Sequence, residues 1–297
     1  MSSTPYVPPK VWTWNKANGG RFANINRPIS GATHEKDLPV GRHPLQLYSL
    51  ATPNGVKVSI LLEELGLPYE AHRVSFETRD QFSPEFLSLN PNNKIPAILD
   101  PDGPGGQPLA LFESGAILIY LAEKTGRFMP TEPRARMQVL QWLMWQMGGA
   151  GPIFGQLGFF HKFAGKDYED KRPRDRYVAE SKRLLGVLDK HLEGRDWIMG
   201  DQYTIADIAI LPWVRNLVEH YGAGELVDYR GRPEGISQKV VLTALGGSGA
   251  TPASSSASAA LRRSAEDFNG LVPRGMLKAI ISAALRRSAE DFNKLLG

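Results

Sequence analysis

The hydrophobic pattern between residues 45 and 126 predicts an alternating α/β unit. A short apolar run over 45–50 is typical of a buried strand, and the amphipathic stretch over 55–65 is typical of a helix. Gly66 and Pro68 supply the stop signals of that helix. Similar patterns predict further strands at 69–74, 96–100 and 109–112 and helices at 84–89 and 114–124. The predicted order of elements is therefore β-α-β-α-β-β-α.

Helical spacing of apolar residues dominates the region that follows. We predict helical structure over 132–160, with an interruption at Gly148–Pro152, and a further helix over Tyr177–Leu192. Thr204, with Asp207 three residues later, predicts the N-terminal cap of another helix. This second region is therefore expected to be all-α.

These patterns divide the chain into four segments. Residues 45–126 form the predicted α/β domain, and residues 132–230 form the predicted all-α domain. Residues 1–44 lack periodicity, yet their aromatic and aliphatic side chains need burial, so we expect an extended arm laid over a folded surface. These apolar side chains are Trp12, Trp14, Phe22 and Ile25. Residues 231–297 form an atypical tail.

The tail has the features of an added segment. Residues 246–260 are rich in Gly, Ser and Ala, as in a flexible linker. The twelve-residue string Ser258–Asn269 recurs unchanged at Ser282–Asn293. Between the copies, Leu271–Gly275 looks like the thrombin cleavage site of expression vectors. Because natural repeats usually drift, the pattern indicates an engineered addition or a cloning scar rather than a part of the fold.

The charge distribution argues against nucleic-acid binding. Residues 1–230 hold 26 basic and 26 acidic side chains, whereas residues 231–297 hold nine basic and five acidic ones and account for the whole net charge of +4. A neutral body offers no electrostatic footprint for phosphate backbones.

No apolar run approaches the ~20 residues of a membrane span. The polar start of the chain lacks the apolar core of a signal peptide. We therefore expect a cytoplasmic protein that binds neither nucleic acid nor membrane.

The turn Thr52–Gly55, between the first strand and the first helix, is the leading candidate for chemistry. A strand, a tight turn and a helix N-terminus together favour an anion or a thiolate. Redox proteins place cysteines at such a turn, but this chain contains no cysteine. Any sulfur chemistry here must therefore use a thiol that arrives from outside.

Two further turns converge on the first one if the fold is thioredoxin-like. In Lys94-Ile95-Pro96 a proline begins a strand, and it is either a cis proline that exposes the backbone of Ile95 to a ligand or an ordinary trans proline. In Glu113-Ser114, at the start of a helix, Ser114 is either a plain cap or a carboxylate binder beside a Glu113 that accepts an ammonium group.

The order and spacing of these motifs resemble the glutathione transferase family. Asn93–Ala97 lies about forty residues after the first turn, and Phe112–Ser114 precedes a helix, as in the family's N-terminal domain. Gly200–Asp207 resembles the capping motif of its all-α C-terminal domain. The resemblance spans 45 to about 230 and implies the glutathione transferase fold: a thioredoxin-like domain followed by a helical domain.

Finer matches resemble the bacterial Nu class of the family. They are Thr52–Gly55, Asp80–Phe82, Asn90–Pro96, Gln141–Gln146 and Phe22–Pro28 in the arm. This resemblance implies a glutathione-dependent disulfide-bond oxidoreductase that holds one or two glutathione molecules per subunit. It also implies a homodimer, and small disulfides or electrophiles as substrates.

The resemblance implies specific site residues. Thr52 and Asn54 are expected to be catalytic, because their hydroxyl and amide can donate hydrogen bonds to a thiolate at a helix N-terminus. An alternative is that Asn54 only caps the helix. No metal site is expected. The residues expected to bind glutathione are Asn26, Pro53, Gln81, Lys94, Ile95, Glu113, Ser114 and Arg176.

Two other functions compete with disulfide reduction. The first is conjugation of glutathione to an electrophile, with Tyr48 or Ser49 activating the thiol. The second is a non-catalytic, transferase-like scaffold. The glycines of 148–151 would let a helix approach a ligand closely, or would serve tight helix packing instead.

Overall fold

The computed structural model of the chain describes residues 7, 9–14 and 28–227. The expectations for Asn26 and for the tail after residue 231 lie outside these described residues. The expectations for the α/β unit, the helical region and most candidate site residues lie within them.

The strands form one four-stranded mixed sheet in the order β2-β1-β3-β4. β1 and β2 are parallel, whereas β3 is antiparallel to both β1 and β4. This is the arrangement that the sequence predicts for a thioredoxin-like domain. The strands are β1 (Leu45–Ser49), β2 (Tyr69–Arg73), β3 (Ala97–Asp100) and β4 (Leu109–Phe112).

In the described part of the chain the sheet unit contains three α-helices, and four more α-helices follow it. The first group is α1 (Pro53–Leu65), α2 (Pro84–Leu89) and α3 (Ser114–Thr125). The second group is α4 (Pro133–Trp145), α5 (Gly151–His161), α6 (Arg172–Leu192) and α7 (Ile205–Arg215). None of the helices in the described ranges combines the length and apolar character that crossing a membrane requires.

The helix caps follow the sequence signals. Thr52 caps α1 by accepting a hydrogen bond from the Gly55 N–H, and Gly66 ends that helix in the left-handed conformation. Thr204 and Asp207 form the predicted capping box at the start of α7. The Asp207 carboxylate also accepts from the Ile198 N–H, so this cap fastens the preceding loop to the helix.

Two details of the helical region differ from the sequence expectation. The predicted interruption at Gly148–Pro152 is a π-helical segment, Gln146–Ala150, so the chain stays helical from α4 into α5. α6 begins at Arg172 rather than at Tyr177. Proline at the second position of α6 is compatible with a helix start, because the N–H groups of the first turn have no intrahelical partner.

The apolar core is continuous from the sheet to the helical region. One cluster joins Leu47 of β1 and Leu61 of α1 to Leu143 of α4 and Ile208 of α7, all at most 1% exposed. α1 packs against both α3 and α7. The first helix of the sheet unit therefore forms much of the boundary with the helical region, and its side chains can act on both.

The arm contacts the sheet unit through part of its described length. The Thr33 N–H donates to the Phe82 carbonyl, and Lys36 forms an ion pair with Asp80 at 2.6 Å. Residues 33 and 36 of the arm therefore contact the 3-10 turn Asp80–Phe82 of the sheet unit. The expected burial of the arm's aromatics is wrong for Trp12, which is 61% exposed and packs edge-on against Trp14.

Candidate functional site

The sheet register brings three turns to one edge. Tyr48 pairs with Ala97, and Ala97 pairs with Phe112. The turn after β1, the segment before β3 and the start of α3 therefore lie side by side, as the sequence predicts for a thioredoxin-like domain. The Ile95–Pro96 peptide bond at this edge is cis. Within the described part of the chain, Ile95 makes no backbone hydrogen bond, so its N–H and C=O can pair with a ligand.

The first turn is closed by Thr52 and by the absence of a side chain at Gly55. Thr52 Oγ1 accepts from the Gly55 N–H at 3.3 Å, which makes Thr52, not Asn54, the cap of α1. A Cβ atom at residue 55 would lie 2.1 Å from the Leu50 carbonyl oxygen and 2.4 Å from Ser49 Oγ. The turn is this tight only because residue 55 is glycine.

Asn54 is held from the helical region. Its Oδ1 accepts a hydrogen bond of 2.9 Å from Nε1 of Trp213 on α7. The indole N–H only donates, so this bond fixes which end of the amide faces Trp213 and leaves the Asn54 NH₂ group for another acceptor. The indole of Trp213 in turn lies 3.3 and 3.4 Å from the Cβ positions that Gly151 and Gly155 lack.

Lys57 occupies the buried side of α1 and has no exposed surface. Its ammonium lies 2.5 Å from Gln146 Oε1, 3.3 Å from Ser114 Oγ and 3.2 Å from Met147 Sδ. Burial lowers the pKa of Lys57 from 10.5 to about 7, and the negative charge of Glu113 opposes that shift. A titratable side chain therefore lies directly behind Ser114.

Glu113 and Ser114 form the third turn. Glu113 is exposed and has a φ of 68°, a left-handed conformation that is uncommon for a residue with a side chain. Ser114 is the first residue of α3 and is 2% exposed. Sparsely populated backbone conformations cluster at ligand sites, so this turn is consistent with ligand binding.

Gln81 lies in the 3-10 turn Asp80–Phe82, and Lys94 lies in the segment before β3. The Gln81 side chain is 1% exposed, and its amide oxygen and nitrogen both lack a hydrogen-bond partner among the described residues. Its backbone carbonyl accepts from the Asn93 side chain at 2.8 Å, next to Lys94. Lys94 itself is exposed, although reduced hydration lowers the pKa of its ammonium. A buried amide without partners favours a ligand as the missing partner.

Ion pairing by the arm stabilises the segment that contains Gln81. Burial would raise the pKa of Asp80, but hydrogen bonds from Lys36, Thr78 and the Ser75 N–H, together with the charge of Lys36, hold it below its usual value. The arm thus fixes the residue immediately before Gln81.

Tyr48 and Ser49 do not present free hydroxyls to the first turn. Tyr48 is 2% exposed and donates to the Pro39 carbonyl at 2.9 Å, while its ring stacks on His72. Burial, assisted by the charge of Glu85, raises the pKa of Tyr48, so formation of its phenolate is disfavoured. Ser49 Oγ donates to the Leu50 carbonyl at 3.4 Å.

The expectation for Arg176 needs correction, and the glycines of 148–151 have different surroundings. Arg176 does not precede a helix: it lies within α6, its side chain is 70% exposed, and its ion-pair partner is Glu180 at 3.9 Å. The glycines of the π-helical segment and α5 do not share one role. Gly148 and Gly149 have open space where a Cβ would stand, whereas Gly151 is packed against Gln146 and Trp213.

Sequence reasoning missed Lys57 and Trp213. A signal for Lys57 was present, because it stands between Val56 and Val58 and four residues before Leu61, on the side of the helix expected to be buried. No comparable signal marked Trp213, whose partner Asn54 is 159 residues away. No group of three or more His, Cys, Asp or Glu side chains that could hold a metal occurs among the described residues.

Two family models match the chain. The model described as "Glutathione S-transferase, N-terminal domain" matches residues 43–123. The model described as "Glutathione S-transferase, C-terminal domain" matches residues 152–231. The first covers the sheet and the three turns, and the second covers α5 to α7.

Relatives and solved structures agree with these matches. The disulfide-bond oxidoreductase YghU of Escherichia coli K12 is 50% identical over 236 residues, which are 77% of this chain and 81% of the relative. A Pseudomonas fluorescens pf-5 glutathione transferase family member with two glutathione bound has a TM-score of 0.65 and 69% identity, covering 68% of this chain and 88% of its own. A Pseudomonas putida glutathione transferase with one glutathione disulfide bound per subunit has a TM-score of 0.63 and 71% identity, covering 64% and 83%.

Proposed function

Because the chain belongs to the glutathione S-transferase family, we propose that it reduces disulfide bonds with two bound glutathione molecules. The observation that carries this proposal is the first turn, which offers a hydroxyl and an amide at a helix N-terminus in a chain without cysteine. Relatives named disulfide-bond oxidoreductases, and similar structures holding two glutathione molecules or glutathione disulfide, support it.

Thr52 and Asn54 would hold the thiolate of the first glutathione. Thr52 Oγ1 already accepts from the Gly55 N–H, so its proton is available for donation. The bond from Trp213 leaves the Asn54 NH₂ group as a second donor. Both residues lie at the start of α1, where Pro53 is the first helical residue and the helix dipole favours a negative charge. These effects lower the pKa of a thiol and raise its thiolate fraction.

The other two turns would bind the rest of the first glutathione. The Ile95 N–H and C=O would pair with its backbone. Ser114 would donate to the α-carboxylate of its γ-glutamyl residue, and the exposed carboxylate of Glu113 would accept from the ammonium of the same residue. Gln81 would supply its unpartnered buried amide, and Lys94 would lie near the glycine carboxylate.

Two candidate residues have weaker support. Asn26 is proposed as a contact from the arm on the resemblance of the sequence alone. Arg176 is exposed on α6, so any role in binding a glutathione carboxylate requires it to leave Glu180. The Nu class, a homodimer and a cytoplasmic location belong to the same proposal.

The reaction follows from thiol–disulfide exchange. The bound glutathione thiolate attacks one sulfur of a substrate disulfide, forms a mixed disulfide with it and releases the other sulfur as a thiolate. A second glutathione thiolate then attacks the glutathione sulfur of the mixed disulfide, which forms glutathione disulfide and releases the second substrate thiolate. Two glutathione molecules are oxidised and one disulfide is reduced to two thiols, so atoms and electrons balance. The site contributes thiolate formation and alignment of the reacting sulfurs.

Three measurements test this function. Glutathione-dependent reduction of 2-hydroxyethyl disulfide should be fast, and conjugation of chlorodinitrobenzene should be slow. Calorimetric titration should find two glutathione molecules per subunit, whereas one molecule together with rapid conjugation would favour a transferase. The absence of any binding heat would favour the scaffold interpretation. The double variant of Thr52→Ala and Asn54→Ala should lower reductase turnover sharply, and unchanged turnover would reject the assignment of these two residues.

A further inference from the structure

Lys57 is a buried amine, and its contacts within the described part of the chain are all with uncharged groups. It lies between the sheet unit and the helical region and has no exposed surface. The three contacts are with Ser114 Oγ, Gln146 Oε1 and Met147 Sδ. Burying an ammonium without a paired carboxylate costs stability, and such groups are kept preferentially at functional sites.

The contacts of Lys57 determine how the Ser114 hydroxyl can be used. In its protonated form Lys57 only donates hydrogen bonds, so Ser114 Oγ then accepts from the ammonium at 3.3 Å. The Ser114 proton is then free to be donated elsewhere. In this structure the hydroxyl lies 3.6 Å from the Met147 sulfur, a weak acceptor. A carboxylate oxygen would be a much stronger acceptor for the same proton.

We propose that Lys57 is a positioning residue that orients the Ser114 hydroxyl as a donor toward the γ-glutamyl α-carboxylate of glutathione. This inference rests on the proposed function, because it takes Ser114 to be the group that meets that carboxylate. The positive charge behind Ser114 also stabilises the negative charge of the carboxylate in front of it, in a site where water screens little.

Gln146 connects the Lys57–Ser114 contact to the helical region. Its Oε1 accepts from Lys57 at 2.5 Å, and its side chain is 1% exposed. The ammonium is therefore held from both sides of the boundary, by the first residue of α3 and by the π-helical segment that follows α4. The π-helical segment thus contributes to the glutathione site through Lys57.

The test compares two ligands on variants of Lys57. Lys57→Met removes the ammonium and leaves an unbranched side chain that is one atom shorter. Binding is measured for glutathione and for 4-aminobutyryl-cysteinyl-glycine, which lacks only the γ-glutamyl α-carboxylate. We expect Lys57→Met to weaken glutathione binding about tenfold and to change binding of the analogue less than twofold. Lys57→Gln, which restores a neutral donor, should recover part of the loss and leave it about threefold.

Two other outcomes of this comparison would contradict the proposal. Unchanged glutathione affinity in Lys57→Met, or an equal loss for both ligands, would overturn the proposal, because a merely structural role does not distinguish the two ligands. If Lys57→Met does not fold, Lys57→Gln takes its place, and a loss confined to glutathione is again required.

A second comparison removes the hydroxyl itself. Starting from Ser114→Ala, the change Lys57→Met should weaken glutathione binding less than threefold, and a full tenfold loss would overturn the proposed path through Ser114. Wild-type protein that binds no glutathione would reject the proposed function. Wild-type protein that binds glutathione with the same affinity as Lys57→Met would reject only this inference.

Discussion

Two polar parts of the candidate site lie next to each other at the start of α1, and they are built in different ways. They are the first turn, Thr52–Gly55, and the side chain of Lys57. The first turn is short-range: Thr52 caps it, and Gly55 allows the chain to pass the Leu50 carbonyl. The next helical turn of α1 contains Lys57, whose nearest partners are 57, 89 and 90 residues away along the chain. One region is specified by adjacent residues, and the other exists only once the helical region has docked.

The first turn forms the site, whereas contacts with the helical region orient the groups within it. The first turn supplies donors and a helix N-terminus whether or not the helical region is present. Orientation of the Asn54 amide by Trp213 and of the Ser114 hydroxyl by Lys57 requires groups from the helical region. Changes in the first turn should therefore damage the fold or the chemistry directly, whereas changes at the boundary should alter affinity and pH dependence.

The largest expected effect is that of Gly55→Ala. The new Cβ would approach the Leu50 carbonyl oxygen and Ser49 Oγ closely enough that the backbone must move. We expect a loss of about 3 kcal/mol in the free energy of unfolding, measured by urea denaturation. Gly186→Ala, in the interior of α6 with open space around its Cβ position, is the control and should be neutral or slightly stabilising. Equal stability of the two variants would show that the first turn is not sterically constrained.

Asn54→Asp should have the next largest effect, and on activity rather than on folding. A carboxylate still accepts from Trp213, but it replaces the donor amide with a negative charge beside the proposed thiolate. We expect kcat/KM for disulfide reduction to fall about 100-fold, which is roughly 2.7 kcal/mol of transition-state stabilisation.

Trp213→Phe is the matched control for that variant. It leaves the Asn54 amide in place, removes the bond that orients it, and leaves a smaller ring beside Gly151 and Gly155. A loss of about threefold to tenfold is expected, as for one neutral hydrogen bond. If Trp213→Phe costs as much as Asn54→Asp, the boundary contact rather than the amide donor dominates at this residue.

Lys57→Met should change how stability depends on pH. The folded-state pKa of Lys57 is about 7, below its ordinary value of 10.5. Between these values the unfolded chain holds a proton that the folded chain lacks, so the stability of the wild type rises with pH in this window. The wild type should therefore gain about 2 kcal/mol relative to Lys57→Met between pH 7 and about pH 8.5. Parallel stability curves in urea titrations at several pH values would show that the lysine does not titrate in the folded protein.

The same contrast explains how far the sequence could predict the molecule. Helical and strand periodicities predicted the order of elements, and Thr204 with Asp207 predicted the cap of α7, because these signals involve residues close together in the chain. The π-helical segment was expected as an interruption, since Gly148–Pro152 has a composition that normally ends a helix. Lys57 and Trp213 could not be assigned, because the sequence does not state which distant groups will meet them.

The smallest expected effect compares two glycines on either side of the junction between the π-helical segment and α5. A Cβ at residue 151 would lie 2.6 Å from Gln146 Nε2 and 3.3 Å from the indole of Trp213, so Gly151→Ala should lose about 1 to 2 kcal/mol of stability. It should also weaken glutathione binding, because Gln146 and Trp213 position Lys57 and Asn54.

Gly148→Ala tests whether the open space beside Gly148 belongs to the ligand site. No atom lies within 4 Å of the Cβ position, so alanine should be tolerated and should stabilise the helix by up to about 1 kcal/mol. Unchanged glutathione affinity, measured by calorimetry, would assign this glycine to backbone geometry alone. A stabilised variant that binds glutathione more weakly would instead show that the open space is part of the ligand site. Gly148 would then face the ligand, as the first turn does, whereas Gly151 would support the contacts behind the site, as Lys57 does.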